Sequence, residues 1–425
     1  MVKLIVIADD FTGALDTAVQ FASEGANTKV VVDSNYQLSQ INEDVEVLVI
    51  NAESRHLSSE EAYLVVYRIV EQAVILGIPN IFKKTDSALR GNIGSELTAV
   101  VDASKKTVLH FIPAFPQMRR TTKNGVHFID GVPVHESVFG KDPFEPVKNS
   151  VVSDIIREQS KINLINVFET EDVADVKNPT IKIYDAGTEG RLTEIVEGLY
   201  VENQPLLIAG CAGLAAVLSK KLSFSKGRDK NPIICRSLLV VCGSVNPITL
   251  TQLEHAEKNG FKRVHLTTEQ RMMDSYLETD GSTKAVKGWM DIFSHNDKCI
   301  LDSQDPTDGL ADQDFIDENK LTINDVRMKI STNMGRIIKR LLQEGLESAI
   351  MITGGDTLMG FINQTDIKEI TPIEDVVSGT VLFTIEFEGR TIQILSKSGG
   401  FGDEKLLITL AERMFANRKE IAHAR

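Results

Sequence analysis

Short apolar runs alternate with helical patterns along most of the chain. In the first half, the runs that predict strands are Lys3–Ala8, Lys29–Val32, Glu46–Ile50, Asn80–Lys84, Thr107–Ile112, Lys161–Val167, Ile181–Tyr184 and Pro205–Ala209. Helices are predicted at Ser59–Leu76, where apolar residues recur on one helical face, and at Glu96–Ala103. Strands that alternate with helices are typical of βαβ units, which build a mostly parallel sheet.

A second series of the same kind follows a polar, basic stretch, residues 219–231, which is the best candidate for an interdomain linker. The strands predicted beyond it are Ser237–Cys242, Lys262–Leu266, Lys298–Leu301, Ala349–Thr353, Gly379–Phe387 and Arg390–Leu395, with a long helix at Thr322–Leu342. The length of 425 residues also favours more than one domain. We therefore expect an α/β protein of two domains, 1–228 and 229–425, each around a mostly parallel sheet.

Two segments interrupt this alternation. Residues 125–146 are rich in Gly, Pro and His, and they predict a long excursion at the surface or at a site. Residues 302–318 are rich in acidic residues in a loop-like composition, which predicts a solvated surface segment.

Composition excludes several classes of protein. The formal net charge is -14, with 60 acidic and 46 basic residues, which argues against a general nucleic-acid binder but not against a local cationic pocket. No run approaches the ~18 apolar residues of a membrane span, and the amino-terminal residues do not resemble a signal peptide. The four cysteines form no CxxC pair and the histidines no HExxH motif, so we expect a cytoplasmic location and no zinc site.

Chemically distinctive clusters follow the predicted strands. In open α/β sheets, ligands bind beyond the carboxyl ends of the strands. The clusters at such ends are Ala8–Gly13, Asn51–Arg55, Lys83–Ser87 with Arg90–Asn92, Pro113–Pro116, Gly243–Pro247, Thr353–Thr357 and Lys397–Gly402. Their number predicts one binding region in each half of the chain.

The first-half clusters combine carboxylates with cations. One of the adjacent residues Asp9 and Asp10 is expected to cap the following helix, and the other is then a general base for a hydroxyl, an acceptor for a polyol or a metal ligand. Arg55 follows Glu53, so a surface ion pair is its alternative role. Lys84 and Arg90 flank Asp86 near a helix start, which suits a carboxylate or phosphate, although a capped helix with solvated lysines is the alternative.

The second-half clusters are rich in glycine. Glycines let a backbone approach an anion, and successive N–H groups then form an anion-binding nest. Each loop alone is better explained by a structural turn, but three such loops together predict a nucleotide phosphate site. None matches the Walker A motif, and no strand leads into a GxGxxG helix, which disfavours a nicotinamide enzyme.

In these motifs the chain resembles the four-carbon acid sugar kinases, a family once grouped as a domain of unknown function, over nearly its whole length. The first half is similar to the family's sugar-binding domain and the second half to its nucleotide-binding domain. One position departs from the family pattern. In the family, the motif Pro-Ala-Phe-Pro is usually followed by two further residues and then by a Gly-Arg pair. In this chain the pair is Arg119-Arg120.

The resemblance implies ATP-dependent phosphorylation, with Mg²⁺, of the terminal hydroxyl of a four-carbon acid sugar. Residues 131–133 and 139–144 favour D-threonate or D-erythronate over 3-oxo-tetronate. The acid sugar is expected to contact Asp10, Arg55, Lys84, Thr85, Asp86 and Ser87, with Arg55 or Lys84 on its carboxylate. Asp10 is the preferred base, because Asp9 is as good a candidate for the helix cap, and Asp86 is the alternative. ATP is expected to contact Ser244, Gly354, Gly355, Asp356, Thr357 and Gly400, and no metal ligand is assigned.

The active site is expected in a cleft between the two domains. The expected partners are the acid sugar and ATP, with no nucleic acid and no membrane, and homo-oligomerisation stays open. A two-domain hydroxy-acid dehydrogenase and a non-catalytic sugar-acid-binding protein are the alternatives. A ribokinase-like sugar kinase is disfavoured, because the second half lacks a Gly-Ala-Gly-Asp signature.

Overall fold

The computed structural model of the chain describes residues 2–142, 145–168, 176–225, 235–243, 246–304, 309–377, 379–397 and 400–423. Contacts divide the chain into two compact units. The first contains Met1–Arg228 and Lys368–Pro372, and the second contains Asp229–Ile367 and Ile373–Arg425. Each is built of helices and mostly parallel strands, so the predicted α/β class with two domains is confirmed. Residues 226–234, which include much of the predicted linker, lie outside the described residues.

The first unit is built on a sheet whose strands run in the order β2-β3-β1-β4-β11-β5-β10-β9, all parallel. These strands are β1 (Leu4–Ala8), β2 (Thr28–Val31), β3 (Val47–Asn51), β4 (Asn80–Lys84), β5 (Val108–Ile112), β9 (Asn163–Val167), β10 (Thr180–Tyr184) and β11 (Leu207–Gly210). β1, β3 and β4 are buried along their whole length. The nearly continuous apolar character of β1 and β3 is what a parallel sheet covered on both faces requires, whereas β4 also buries Lys83 and Lys84.

Helices flank this sheet at positions that the sequence marks with caps. They are α1 (Phe11–Ser23), α2 (Ser59–Ile75), α3 (Ile93–Ser104), α4 (Val152–Arg157), α5 (Glu189–Leu199) and α6 (Ala212–Leu218). A capping box between Ser58 and Glu61 starts α2 at its predicted residue. Its buried positions, which include Ala62, Val66 and Ile69, recur at helical spacing and pack in the core of the unit.

The second unit has a sheet in the order β13-β14-β12-β15-β18-β17-β16. Its strands are β12 (Leu238–Cys242), β13 (Lys262–His265), β14 (Lys298–Asp302), β15 (Ala349–Thr353), β16 (Glu369–Val377), β17 (Thr380–Phe387) and β18 (Arg390–Lys397). Its helices are α7 (Pro247–Lys258), α8 (Thr268–Met272), α9 (Asp280–His295), α10 (Gly309–Asn319), α11 (Ile323–Gln343), α12 (Gly355–Ile362) and α13 (Leu406–His423). β13 to β15 and β18 are parallel with β12, and β17 runs antiparallel to β18.

Two segments differ from the sequence interpretation. The excursion at residues 125–146 is ordered in part as a small antiparallel sheet of β6 (Arg120–Lys123), β7 (Val126–Ile129) and β8 (Val132–Pro133). The acidic segment was predicted as loop, but α10 occupies it from Gly309 onwards. α10 buries none of its described side chains, so it lacks the apolar stripe by which a helix is recognised in sequence.

β16 was not predicted at all, and its first residues belong to the first unit. Glu369 and Ile370 pair antiparallel with Val31 and Val30 of β2. The Tyr36 hydroxyl donates a hydrogen bond to the Glu369 carboxylate at 2.9 Å. The segment Lys368–Pro372 therefore covers the β2 edge of the first sheet, although it lies far along the chain.

Candidate active site

The topology of the first sheet brings the predicted sugar-binding clusters together. β1 lies beside β3 and β4, and in the strand register Ala8 is level with both Asn51 and Lys84. The connection that leaves β1 leads to one side of the sheet, and the connection that leaves β4 leads to the other. Such a reversal opens a crevice at the carboxyl ends of the two strands. The clusters that follow Ala8, Asn51 and Lys84 lie around this crevice.

Asp10 is the helix cap of the adjacent pair. Its backbone is extended (φ −144°, ψ 162°) and its Oδ1 accepts a hydrogen bond from the Gly13 amide at 3.0 Å. The prediction that Asp9 is as good a candidate for the helix cap is therefore wrong. Asp10 nevertheless remains at the crevice, with its side chain 24% exposed and its Oδ1 2.8 Å from Arg55 Nη2.

Asp9 is buried beneath Asp10 in an ion pair. Arg55 Nε donates to Asp9 Oδ2 at 2.7 Å, and Lys84 Nζ lies 3.8 Å from Asp9 Oδ1. Burial alone would raise the pKa of Asp9, but the charges of Arg55 and Lys84 outweigh it and hold the pKa below its usual value. Asp9 is thus an ionised anchor for Arg55.

Asp86 is the second anchor of the cluster. Its two oxygens accept hydrogen bonds from Arg90 Nε at 2.9 Å and Nη2 at 3.0 Å, and Arg55 Nη2 lies 3.7 Å from Oδ1. Burial opposes ionisation here too, yet the neighbouring guanidiniums hold the pKa of Asp86 well below its usual range. Arg55 is therefore matched by three carboxylates, and the surface ion pair considered for it is wrong, since its side chain is only 8% exposed.

Three polar groups around the crevice lack hydrogen-bond partners among the described residues. Asp9 Oδ1 and Thr85 Oγ1 are buried and accept or donate no such bond. Lys84 is 5% exposed, and its ammonium makes no hydrogen bond to a described residue. Gly13 allows Lys84 to reach this place, because a Cβ at Gly13 would collide with Lys84 Nζ and with Asp10 Oδ1. Unsatisfied buried groups of this kind point to a polar ligand.

A second buried ion pair lies beneath the cluster. Lys83 and Glu96 are fully buried, and Lys83 Nζ is 3.0 Å from Glu96 Oε2. Ser54, which precedes Arg55, donates a hydrogen bond to the other oxygen of Glu96. The pair thereby ties β4, α3 and the loop that carries Arg55 together.

Sequence reasoning did not assign the residues that form the opposite wall. Arg120, the first residue of β6, donates a hydrogen bond to the Ser87 hydroxyl. The guanidinium carbons of Arg90 and Arg120 each lie 5.2 Å from the centre of the Phe139 ring, as in cation–π contacts. Arg90 also lies 3.3 Å from Asp142 Oδ2. The sequence signals for this wall were Arg90 beside Asp86, the Arg119-Arg120 pair, and the Gly-, Pro- and His-rich composition of residues 125–146.

The second sheet has a crevice of the same kind. The connection from β12 leads towards β13, and the connection from β15 leads to the other side of the sheet. Gly243 follows β12 and Gly354 follows β15, and a Cβ at Gly243 would collide with the Thr357 hydroxyl. The two glycine loops predicted to bind phosphate therefore touch. Ser244, predicted with them, lies outside the described residues.

The Gly354 backbone requires glycine. Its φ of +90° is unfavourable for other residues, and it places the Gly354 amide 2.9 Å from the Lys397 carbonyl oxygen at the end of β18. Gly355 then begins α12, whose first turn carries the buried Thr357. The N–H groups of a first helical turn have no partners within the helix and are suited to an anion.

The third loop also approaches this crevice. A Cβ at Gly400 would lie 3.9 Å from Asn246 Nδ2 at the start of α7. Lys397 is 1% exposed and donates to Thr249 Oγ1 of α7 at 3.3 Å. Burial lowers the pKa of Lys397 to about 8. Lys397 was quoted in the motif but not assigned, although a lysine before a glycine loop suits phosphate.

Asp356 is the carboxylate of this region. It lies in the first turn of α12, its side chain is 61% exposed, and Arg327 Nε is 3.7 Å from its Oδ2. The described part of the chain holds no group of three or more His, Cys, Asp or Glu residues placed to bind a metal ion. A single carboxylate fits Mg²⁺ that arrives with nucleotide phosphates, because such ions use one or two carboxylates and retain water.

None of the described helices is long and apolar enough to span a membrane.

Comparison with known families assigns both halves of the chain. Residues 4–218 match the model of a sugar-binding N-terminal domain, and residues 239–407 match that of a nucleotide-binding C-terminal domain. A D-threonate kinase of Cupriavidus necator is 31% identical over 95% of this chain and 96% of its own length. A D-threonate kinase of Salmonella typhimurium is 28% identical, with coverage of 95% and 96%. A D-erythronate kinase of Heliobacterium modesticaldum is 25% identical, with coverage of 89% of each chain.

A solved structure from Salmonella typhimurium shares the fold. It superposes with a TM-score of 0.78 at 19% identity and covers 96% of this chain and 99% of its own. At that identity the likeness speaks for the fold alone, and it agrees with two α/β units.

Proposed function

Since the chain belongs to the family of four-carbon acid sugar kinases, we propose that it transfers the terminal phosphoryl group of ATP to the terminal hydroxyl of D-threonate or D-erythronate, in preference to 3-oxo-tetronate. The observation that carries this proposal is the crevice between β1 and β4. There, Asp9 and Thr85 each have a buried oxygen without a hydrogen-bond partner among the described residues, and the Lys84 ammonium lies 3.8 Å from that Asp9 oxygen. A short polyhydroxy acid has the hydroxyl and carboxylate groups to satisfy them.

In this proposal the acid sugar contacts Asp10, Arg55, Lys84, Thr85, Asp86 and Ser87. Asp10 accepts the proton of the reacting hydroxyl, because it is the most exposed of the three carboxylates around Arg55. The low pKa of Asp86 makes it a poor base, so we expect it to act mainly by holding Arg55 and Arg90. Lys84 lies beside Asp10, where its charge offsets negative charge on the transferred group.

ATP is proposed to bind the second unit along Ser244, Gly354, Gly355, Asp356, Thr357 and Gly400, with Lys397 added. The glycine loops present N–H groups to the phosphates, and Asp356 takes Mg²⁺ together with them. When bound, the ion supplies charge that neutralises the phosphate oxygens. Transfer requires the terminal phosphate of ATP to reach the reacting hydroxyl of the acid sugar.

The test is a substrate panel. The purified chain is assayed with ATP and Mg²⁺ against D-threonate, D-erythronate, 3-oxo-tetronate and acids of five and six carbons, with coupled detection of ADP. We expect ADP formation with a four-carbon acid and a phosphorylated product. ADP formation only with longer acids would refute the proposed substrate. Reduction of a nicotinamide cofactor by these acids would identify a dehydrogenase, and tight acid binding without ATP binding would identify a sensor.

A further inference from the structure

The arginines around the first crevice differ in the number of carboxylates that already neutralise their charge. Arg55 contacts the carboxylates of Asp9, Asp10 and Asp86. Arg90 contacts Asp86 and Asp142. Arg120 forms no ion pair with any described carboxylate, and its one side-chain hydrogen bond among the described residues goes to the neutral Ser87 hydroxyl. The guanidinium that has charge to offer a substrate is therefore Arg120, and not Arg55.

The position of Arg120 is fixed by its surroundings. Its guanidinium carbon lies 5.2 Å from the Phe139 ring centre, a contact that leaves the edge of the guanidinium available for hydrogen bonds. Its backbone is paired with Phe115, through the Phe115 amide to the Arg120 carbonyl oxygen at 2.7 Å. An arginine held in this way loses little conformational entropy when it binds a planar carboxylate with two parallel hydrogen bonds.

The crevice also has two chemically different ends. Lys84 and Asp10 meet beside Gly13, at the end of β1. Arg120 and Ser87 meet at the other side of β4, against Phe139. Lys84 ends β4, and Ser87, to which Arg120 donates, follows three residues later, so the two cations border the carboxyl end of the same strand. The hydroxyl acceptor thus follows β1, whereas the arginine with unmatched charge contacts the loop that follows β4.

We propose that Arg120, placed by Phe139 and Ser87, binds the carboxylate of the acid sugar and makes the protein select acids over neutral polyols. This inference rests on the proposed function and deepens it by orienting the substrate, with its carboxylate at Arg120 and its reacting hydroxyl at Asp10. It also replaces Arg55 in the role that the sequence suggested for it. Arg55 becomes the residue that holds the three carboxylates in place.

The experiment compares acids with the polyols that lack the carboxylate. Wild type, Arg120→Gln and Arg120→Lys are assayed with D-threonate, D-erythronate, threitol and erythritol. For Arg120→Gln we expect the KM of the acid to rise about ten- to a hundredfold, the range of a lost charge-assisted pair, with the KM for ATP unchanged. For Arg120→Gln, the kcat/KM of the acid divided by that of the polyol should fall by the same factor. For Arg120→Lys, both values should lie between those of wild type and Arg120→Gln.

Arg119→Gln is the matched control. Arg119 is the neighbouring residue, its side chain is 75% exposed, and it pairs with the exposed Asp130, so its kinetics should stay at the wild-type values. An acid KM within twofold of wild type in Arg120→Gln, or an equal loss for acids and polyols, would overturn the inference. Arg120→Lys gives the answer if Arg120→Gln does not fold, as judged by circular dichroism.

A separate measurement distinguishes this inference from the proposed function. Calorimetric titration of wild type and Arg120→Gln with each acid, without ATP, reports the carboxylate contact whether or not phosphate is transferred. Acid binding that weakens in Arg120→Gln, with no turnover by wild type, supports Arg120 and refutes the kinase. If wild type turns over the acid and both proteins bind it equally well, the kinase is supported and the role of Arg120 is refuted.

Discussion

Asp10 makes two contacts, a helix cap and an ion pair, and one substitution can remove the charge while it keeps the cap. Its Oδ1 caps α1 and also lies 2.8 Å from Arg55 Nη2. Asparagine caps a helix about as well as aspartate, so Asp10→Asn should keep the helix while it removes the negative charge. We expect kcat to fall by about 10²–10⁴ with the KM for ATP unchanged, as for the loss of a general base. Steady-state kinetics with the preferred acid measure this, and a kcat within threefold of wild type would exclude Asp10 as the base.

Asp86 should fail in a different way. Asp86→Asn leaves Arg90 and Arg55 with one buried carboxylate fewer, and breaking such a network costs about 3–5 kcal/mol. We expect a lower free energy of unfolding in urea, together with a weaker fall in kcat than Asp10→Asn gives. Asp130→Asn, at an exposed ion pair, is the control for stability. A stable Asp86→Asn protein with the larger loss of kcat would make Asp86 the base instead.

Arg119, which stands where the family pattern has glycine, has a left-handed backbone conformation. Its φ is +54° and its ψ is 32°, in the left-handed region where residues other than glycine are strained. Arg119→Gly removes that strain at some cost in chain entropy, so we expect it to raise the free energy of unfolding by about 0.5–1 kcal/mol. Arg119→Ala keeps the strain and serves as the comparison. A glycine variant no more stable than the alanine variant would contradict this account.

At the scale of the element, the loop before α12 offers a test with a matched glycine. Gly354 (φ +90°) and Gly345 (φ +91°) share a positive φ, but Gly345 has no atom within 4 Å of its Cβ position and follows α11, away from the glycine loops. Alanine at either should cost roughly 1–2 kcal/mol of stability. We expect only Gly354→Ala to raise the KM for ATP, by tenfold or more.

Acid-sugar binding should be unchanged in both alanine variants, as measured by calorimetry without nucleotide. The same readouts apply to Gly355→Val, which crowds the first turn of α12. Equal KM values for ATP in the Gly354 and Gly345 variants would remove this loop from the proposed nucleotide site.

Elements with a strong local signal were predictable from sequence. β4 and β15 begin and end at their predicted residues, and for β15 the reason is a nearly continuous apolar run, which marks a strand buried in a parallel sheet. β16 was missed because its residues alternate less clearly, with Pro372 in the middle, and because its pairing with β2 depends on residues far away in sequence.

The candidate site was predictable only in part for the same reason. The residues at strand ends were found, since topology alone brings Asp9, Arg55 and Asp86 to one edge. Which aspartate caps the helix depends on backbone angles that sequence does not give, and the place of Phe139 depends on how residues 125–146 return to the sheet. The clusters could therefore be predicted from sequence, but not which side chain each charged residue contacts.

At the scale of the whole molecule, the buried His127 and the partly buried His110 should make stability depend on pH. Burial lowers the pKa of His127 and of His110 to about 4, against about 6.5 in an unfolded chain. A depressed pKa contributes stability that is present above pH 6.5 and is lost as the pH falls towards 4, because the unfolded state binds the proton first.

We expect the free energy of unfolding to fall by about 2–3 kcal/mol for each histidine between pH 7 and pH 4.5. Urea unfolding at these two values measures the loss. His127→Gln should remove about half of the histidine contribution to it, and His295→Gln, at a 73% exposed residue, should leave it unchanged. A pH dependence that is the same in His127→Gln and wild type would show that the imidazole is not held neutral.

The pairing of Lys368–Pro372 with β2 has a consequence for how the chain is made. Ribosomes add roughly 5–20 residues per second, from the amino terminus onwards, and domains generally fold in that order. The first unit includes a segment that emerges only after most of the second unit. During that interval the edge of β2 has not met its native neighbour, and an open strand edge is a template for pairing with another nascent chain. The period of greatest risk for this protein is therefore late in translation, when most of the first sheet is formed and its last strand is still inside the ribosome.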